Sequence, residues 1–157
     1  MTILSIDQSY THCAWCITNK QDIIEFGVIK SNKENDIYTR SLHISLILSG
    51  IFNHHCPDEI RLEGLAFGMR GDATRDLAGL LFTIVNVLSH INQFKNFKIL
   101  SPKTVKKQAT GSGKATKKEM IAALPPNISK LFKDRNYKLT TGLSDLADAY
   151  WISQCIV

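Results

Sequence analysis

The sequence predicts an α/β fold: one five-stranded mixed sheet flanked by helices on both faces. Short β-rich runs crowd the first thirty or so residues, and helical periodicities then alternate with compact apolar strands. A chain of 157 residues, 44% hydrophobic and 21% charged, is apolar enough to pack and of a size for one core, so residues 1–157 are expected to form a single domain.

The elements follow in order. Ile3, Leu4 and Ile6 build a first strand, Gln8 to Thr11 a turn, Cys13 to Thr18 a second strand and Glu25 to Ile29 a third, which together make a meander. Asp36 is a helix start signal for a helix of about fifteen residues that Asn53 and Pro57 end. Glu59 to Leu62 form a strand that delivers Glu63 to its end, before a glycine-containing bend from Gly64 to Gly71. Asp72 resembles an N-cap for a helix of about residues 73–91, with a broad stripe of Leu77, Leu80, Leu81, Ile84, Val85, Leu88 and Ile91. That stripe is wide enough for both a core and a partner. Phe97 to Leu100 supply a further strand, and Ser101-Pro102 opens a helix with Pro at its first position. Thr110 to Gly113 break the segment, Thr116 to Leu124 read as helical, and Pro125-Pro126 stop that element. Residues 125–142 read as the least structured region, and Ser144 as the N-cap of a closing helix, SDLADAYWISQCIV.

Composition narrows the function classes. No apolar run approaches the roughly 18 residues of a spanning helix, and MTILSIDQSY lacks a signal-peptide layout, so a cytoplasmic protein with no membrane contact and no secretion is expected. The cysteines at 13, 16, 56 and 155 are too few and irregular for a disulfide framework. Cys13 and Cys16 lie on a strand, where residues three apart face opposite sides, and His54, His55 and Cys56 lack a matching spacing, so a zinc-thiolate site is disfavoured. Charge is segregated along the chain. Residues 95–138 hold 12 Lys or Arg against two acids, Glu119 and Asp134, while the remainder holds 7 against 12. Lys103, Lys106, Lys107, Lys114, Lys117 and Lys118 run without an acid between them, which fits contact with a polyanion and makes nucleic acid the expected partner.

Four acids sit where apolar neighbours predict burial or a cleft. Asp7 and Glu63 end strands, and Asp145 and Asp148 are three apart on one helical face. Taken singly, Asp7 could cap the following turn, Glu63 could pair with Arg61 or Arg70, and Asp145 could complement a helix dipole. Asp148, between Ala147 and Ala149, resists such an explanation, because an unpaired charge there is costly. Taken together, crowded carboxylates suit hard divalent cations, and two such ions can clamp the attacking and leaving oxygens of a phosphodiester.

The segments ILSIDQS, IRLEGLAFG, SPKTVKKQATGSGKATKKEM and SDLADAYWI, in this order and spacing, resemble the RuvC-type Holliday-junction resolvases with their RNase H-like fold, over roughly residues 3–156. The resemblance implies a metal-dependent endonuclease that cuts opposing strands of a four-way DNA junction. It implies Asp7, Glu63, Asp145 and Asp148 as ligands of two Mg²⁺, with Mn²⁺ as a substitute, and Lys106 and Lys117 beside the cleaved strand, Lys117 in a catalytic role. It also implies a homodimer packed through the helix of about 73–91, in a bacterial or phage-infected cell. Symmetry fits this expectation, since a two-fold dimer places two sites on equivalent phosphates. With the basic run, Phe67 and Arg70 in the loop after Glu63 are expected to contact DNA. Phe67 stands at a shifted position relative to the family's aromatic residue, and Asp7-Gln8-Ser9 replaces a small-residue turn, so the loop over the site differs.

Two look-alikes fall away. Ala109 to Lys114 lacks the Walker A spacing, with Gln108 and Ala115 where Gly and Ser or Thr belong, and actin-like ATPases need two such domains. Ser9 and Ser144 lack a partnering His at motif spacing, so water is the expected nucleophile. Two rivals remain: an RNase H-like nuclease acting on RNA-containing substrates, and a junction-binding protein that does not cut. Retention of four carboxylates beside phosphates argues against a pure binder.

Overall fold

The computed structural model describes residues 1–65 and 71–156; Phe67 and Arg70 lie outside the described residues. Strands β1 (Thr2–Asp7), β2 (Cys13–Asn19) and β3 (Asp22–Ile29) form the antiparallel meander. Helix α1 (Ile37–His55), strand β4 (Glu59–Glu63), helix α2 (Asp72–His90) and strand β5 (Phe97–Leu100) follow. The chain continues through α3 (Pro102–Thr110), α4 (Lys117–Ala122), α5 (Pro126–Asp134), a 3₁₀ turn (Leu139–Thr141) and α6 (Leu143–Gln154). The strand order is β3-β2-β1-β4-β5, with β4 and β5 parallel to β1, so the sheet is mixed and five-stranded as expected.

Side-chain alternation sorts the strands into two unlike faces. Leu4, Ile6, Trp15, Ile17, Ile60 and Leu62 face α1 and α2, where they pack with Ile44, Leu48, Leu80 and Ile84. On the other face Ser5, Ala14 and Cys16 are small and fully buried, and α6 packs there with Ala147, Ala149 and Tyr150. Large residues thus hold two helices on one side, and small ones admit a single helix closely on the other. Cys13 belongs to the first core and Cys16 to the second, as the spacing required, and all four cysteines are free. A third cluster of Leu100, Val105, Met120, Ile152 and Cys155 joins α3 and α4 to the end of α6.

Helix starts show which local signals hold. Asp36 caps α1 by accepting from Thr39 N at 2.8 Å, Ser101 caps α3 ahead of Pro102, and Thr116 and Glu119 form a reciprocal capping box on α4. Two expected caps are corrected. Gly71 precedes α2 and Asp72 is its first residue, complementing the dipole without a side-chain cap; Gly142, not Ser144, precedes α6. Gly142 sits at φ +105°, and a Cβ there would stand 2.9 Å from Val28 Cγ2, so both backbone and space demand glycine. Residues 125–142 are more ordered than expected. Pro125-Pro126 ends one helix and starts the next, and Ile128 and Phe132, four apart, bury the inner face of α5 in the second core, where Phe132 meets Phe26 of β3 edge to face. Helix α1 also runs longer than expected, to 19 residues. In α2, Leu80, Leu81, Ile84 and Leu88 are core, with Val87 added, while Phe82 is 63% exposed.

A buried charge pair fastens α6 to the sheet. Arg61, on the same face of β4 as Glu63, is 5% exposed; its Nε donates to Glu59 and its Nη1 donates to the carbonyls of Ser153 at 2.8 Å and Cys155 at 2.6 Å. These are orphan carbonyls at the end of α6, and a charged donor satisfies them in a dry setting. Arg61→Met is expected to cost about 3–5 kcal/mol in urea unfolding, because Glu59 is left buried and unpaired. The double variant Glu59→Gln/Arg61→Met is expected to recover part of that loss; equal losses would show the charge of Glu59 to be irrelevant.

Candidate active site

At the carboxyl ends of β1 and β4, alternation aims Asp7 and Glu63 toward the α6 side, while Asp145 and Asp148 project from one face of α6. All four line one cleft of about 360 Å³ with Gln8, Ser9, Lys106 and Lys117. The pairing of β1 with β4 puts the two strand ends side by side, since Ile6 pairs with Leu62. α4 brings its lysine to the same place: Trp151 Nε1 of α6 donates to Met120 O of α4 at 3.1 Å, and Lys117 Nζ lies 3.6 Å from Asp145 Oδ1. Lys106 reaches the cleft from α3, which Val105 anchors in the third core cluster.

The cleft holds its acids under electrostatic pressure. Burial, followed by the charges of Asp148, Glu63 and Asp145, raises Asp7 well above the usual carboxylate range, and Lys117 offsets only part of this. Burial and the charge of Asp148 push Glu63 up to about 7, against the pull of Lys106 and Lys117. Asp148 is pushed to about 6 by burial, with Lys117 opposing and Asp145 adding to the rise. Two lysines therefore do not neutralise the set. A cluster of oxygen donors short of positive charge fits hard divalent cations, which take carboxylate ligands of this kind.

The structure thus places Asp7, Glu63, Asp145, Asp148, Lys106 and Lys117 along one cleft. Lys103, Lys107, Lys114 and Lys118 do not line it; they stand exposed on α3, the α3–α4 connection and α4, forming a basic flank. The alternative pairing of Glu63 with Arg61 is not seen, because Arg61 pairs with Glu59 instead; Arg70 lies outside the described residues. Two neighbours escaped the sequence reading. His12 Nδ1 lies 3.8 Å from Asp145 Oδ2, and the amide of Gln8 donates to the carbonyl of Glu63 at 2.5 Å, clamping the loop after β1 onto the end of β4. His12 gave a local signal in Ser9-x-x-His12, where Ser9 Oγ accepts from His12 N at 2.9 Å. Its approach to α6 is set by the fold.

Comparisons with known proteins identify the family and the fold. The model of the family described as crossover junction endodeoxyribonuclease RuvC matches residues 3–152. The chain is 30% identical over 139 residues to a Campylobacter lari protein of that name, covering 85% of each, and 26% identical over 163 residues to one from Rickettsia conorii, covering 100% of this chain and 98% of the other. The solved structure of Thermus thermophilus RuvC in complex with a Holliday junction substrate superposes with a TM-score of 0.73 at 20% identity, over 98% of this chain and 91% of that one. At that identity the structural match speaks for the fold.

The raised carboxyls carry a stability consequence. Glu63 and Asp148 bind protons more tightly folded than unfolded, so their contribution is fully present below about pH 4 and is lost as pH rises through about 6 and then about 7. In chelator, Glu63→Gln is expected to lose less stability than the unsubstituted protein as pH rises from about 5.5 to about 8, by roughly 3–6 °C in Tm. Parallel Tm curves would show that Glu63 titrates in its ordinary range.

Proposed function

From the membership of this chain in the RuvC family of crossover junction endodeoxyribonucleases, we infer that it resolves Holliday junctions: it is an endonuclease that hydrolyses phosphodiester bonds of four-way DNA. One observation carries the reading at the level of residues. Two strand-end carboxylates and two carboxylates of α6 line a single cleft with two lysines, beside a basic flank suited to a phosphate backbone.

In this reading Asp7, Glu63, Asp145 and Asp148 hold divalent metal, two Mg²⁺ per site with Mn²⁺ able to replace them. Bound ions supply Lewis-acid stabilisation of the phosphate and a lowered pKa for water. The chain supplies the rest. Its carboxylates ligate only when deprotonated, so protons compete with metal at Glu63 and Asp148 and binding would weaken as pH falls. Lys117 and Lys106, already at the cleft, steady the negative charge that develops on the phosphate. Ser144 is buried, and water is the nucleophile in this reading.

Paired cutting of opposing strands calls for two sites, and the outer face of α1 and α2 supports a homodimer through α2. Phe82 on α2 is 63% exposed, Tyr38 on α1 is 83% exposed, and Leu42 and Leu46 continue the apolar strip on α1. A groove of about 490 Å³ lies beside them, lined by Tyr10, Tyr38, Asp76 and Thr83 among others. A two-fold axis along this face would give each copy one strand of the junction. Among the described residues no helix is long and apolar enough to cross a membrane.

The test is a labelled four-way junction beside linear duplex, single-stranded DNA and RNA–DNA hybrid, each with Mg²⁺ or chelator. Paired, metal-dependent nicks in the junction are expected, and Asp148→Asn is expected to abolish them while junction binding is kept or tightened. Cutting of the hybrid in preference to the junction would favour an RNA-directed nuclease, and tight binding by the unsubstituted protein without nicks would leave a non-catalytic binder. For the basic flank, Lys103→Ala/Lys106→Ala/Lys107→Ala is expected to reduce the slope of log K against log salt by about 2–3. An unchanged slope would place the DNA elsewhere.

A further inference from the structure

Three metal-ligating side chains meet at the end of the sheet opposite the carboxylate cleft. Helix α1 ends in His54 and His55, after which the chain turns through Cys56 and Pro57 into Glu59 at the start of β4, whose far end carries Glu63. Glu25 lies on β3, at the edge of the sheet, and pairs with Ile17, whose side chain belongs to the α1-facing core. Paired residues share a face, so Glu25 is on the α1 side. His55 Nε2 is 2.8 Å from Glu25 Oε2, and the rings of His54 and His55 stand at 88° with centroids 4.7 Å apart. One ligand atom from each of the three lies within 4.8 Å of the others.

We propose that Glu25, His54 and His55 form a binding site for a borderline divalent transition-metal ion such as Zn²⁺, separate from the carboxylate cleft. Two imidazoles and one carboxylate form a donor set that zinc accepts and Mg²⁺ does not favour. A pairing of His55 with Glu25 alone accounts for two of the three residues. It leaves exposed His54 unexplained, although this side chain brings a third donor to the same point. Zinc bonds of about 2.0–2.2 Å at tetrahedral angles place ligand atoms roughly 3.3 Å apart, so the outermost donors must close by about 1.5 Å. Glu25 and His54 are exposed and free to rotate by that much, while His55 is held half-buried near the Trp15 ring, 6.4 Å between centroids. The carboxyl end of α1 also favours a cation through its dipole. Bound there, the ion ties the edge strand β3 to α1 and leaves a fourth position to water.

Titration of the metal-free, full-length protein with Zn²⁺ by calorimetry, and with Co²⁺ by visible spectroscopy, tests the site. One Zn²⁺ per chain is expected, retained in Asp7→Asn/Asp148→Asn and in Cys56→Ser, and undisplaced by excess Mg²⁺. His54→Ala and Glu25→Gln are each expected to weaken it by at least about tenfold. His54 is exposed, so its truncation leaves folding intact and the comparison valid even if Glu25→Gln loosens the edge strand. Zn²⁺ binding that survives His54→Ala undiminished would overturn the proposal, whether it is lost with the cleft aspartates or with Cys56. Absence of binding in the unsubstituted protein would do the same.

Discussion

The cleft depends on how closely α6 can approach the sheet. Asp145 and Asp148 are of use beside Asp7 and Glu63 only if the helix axis lies near the strand ends, and the small residues Ser5, Ala14 and Cys16 make that approach possible against Ala147 and Ala149. A leucine at any of these sheet positions would lift the helix and open the cleft. Arg61 then fixes the far end of α6 through its two carbonyl contacts, which limits sliding along the helix axis. Side-chain size sets the distance and a charged donor sets the register.

The same helix organises the basic segment. Trp151 bonds to α4, Ile152 and Cys155 pack with Val105 of α3, and so the element that carries two acids also orients the two helices that carry Lys106 and Lys117. Opposite charges that lie far apart in sequence are thereby held at fixed relative positions by apolar contacts. Coulomb attraction alone would not do this, because an exposed lysine gains little from a surface pair and loses rotamer freedom in making it.

Much of this was legible locally. Strand-end acids, an i, i+3 pair of aspartates and side-chain caps at Asp36, Ser101 and Thr116 depend on short-range chemistry that sequence displays directly. Gly71 and Gly142 were harder to see as helix starts, because each serves through a positive φ that only the path of the chain demands, and the neighbouring Asp72 and Ser144 offered more familiar caps. Helix α5 was hidden behind Pro125-Pro126, which reads as a terminator, although Ile128 and Phe132 carried its periodicity. The approach of His12 to Asp145 and the meeting of Glu25 with His54 and His55 could not be read from spacing. Each joins residues that the folded topology, and nothing in their spacing, brings together.

The cleft is also where folding and function pull in opposite directions. Among the described residues, the buried charge pair of the α6 face is satisfied within the chain: Arg61 has Glu59 and two carbonyls. Asp7, Glu63 and Asp148 instead have their proton affinity raised first by burial and then by neighbouring acids, with two lysines in opposition among the described residues. A third lysine in the cleft would relieve that repulsion, yet it would also occupy the oxygens and repel cations. The protein keeps the acids close by packing, and leaves the missing positive charge to be supplied by what binds. Carboxylates and a phosphodiester repel, so a cation held by Asp7, Glu63, Asp145 and Asp148 would favour entry of phosphate into the same space. In the proposed reaction bound metal would thus favour close approach of the scissile phosphate as well as its hydrolysis, while the flank of exposed lysines can hold the rest of the DNA without it.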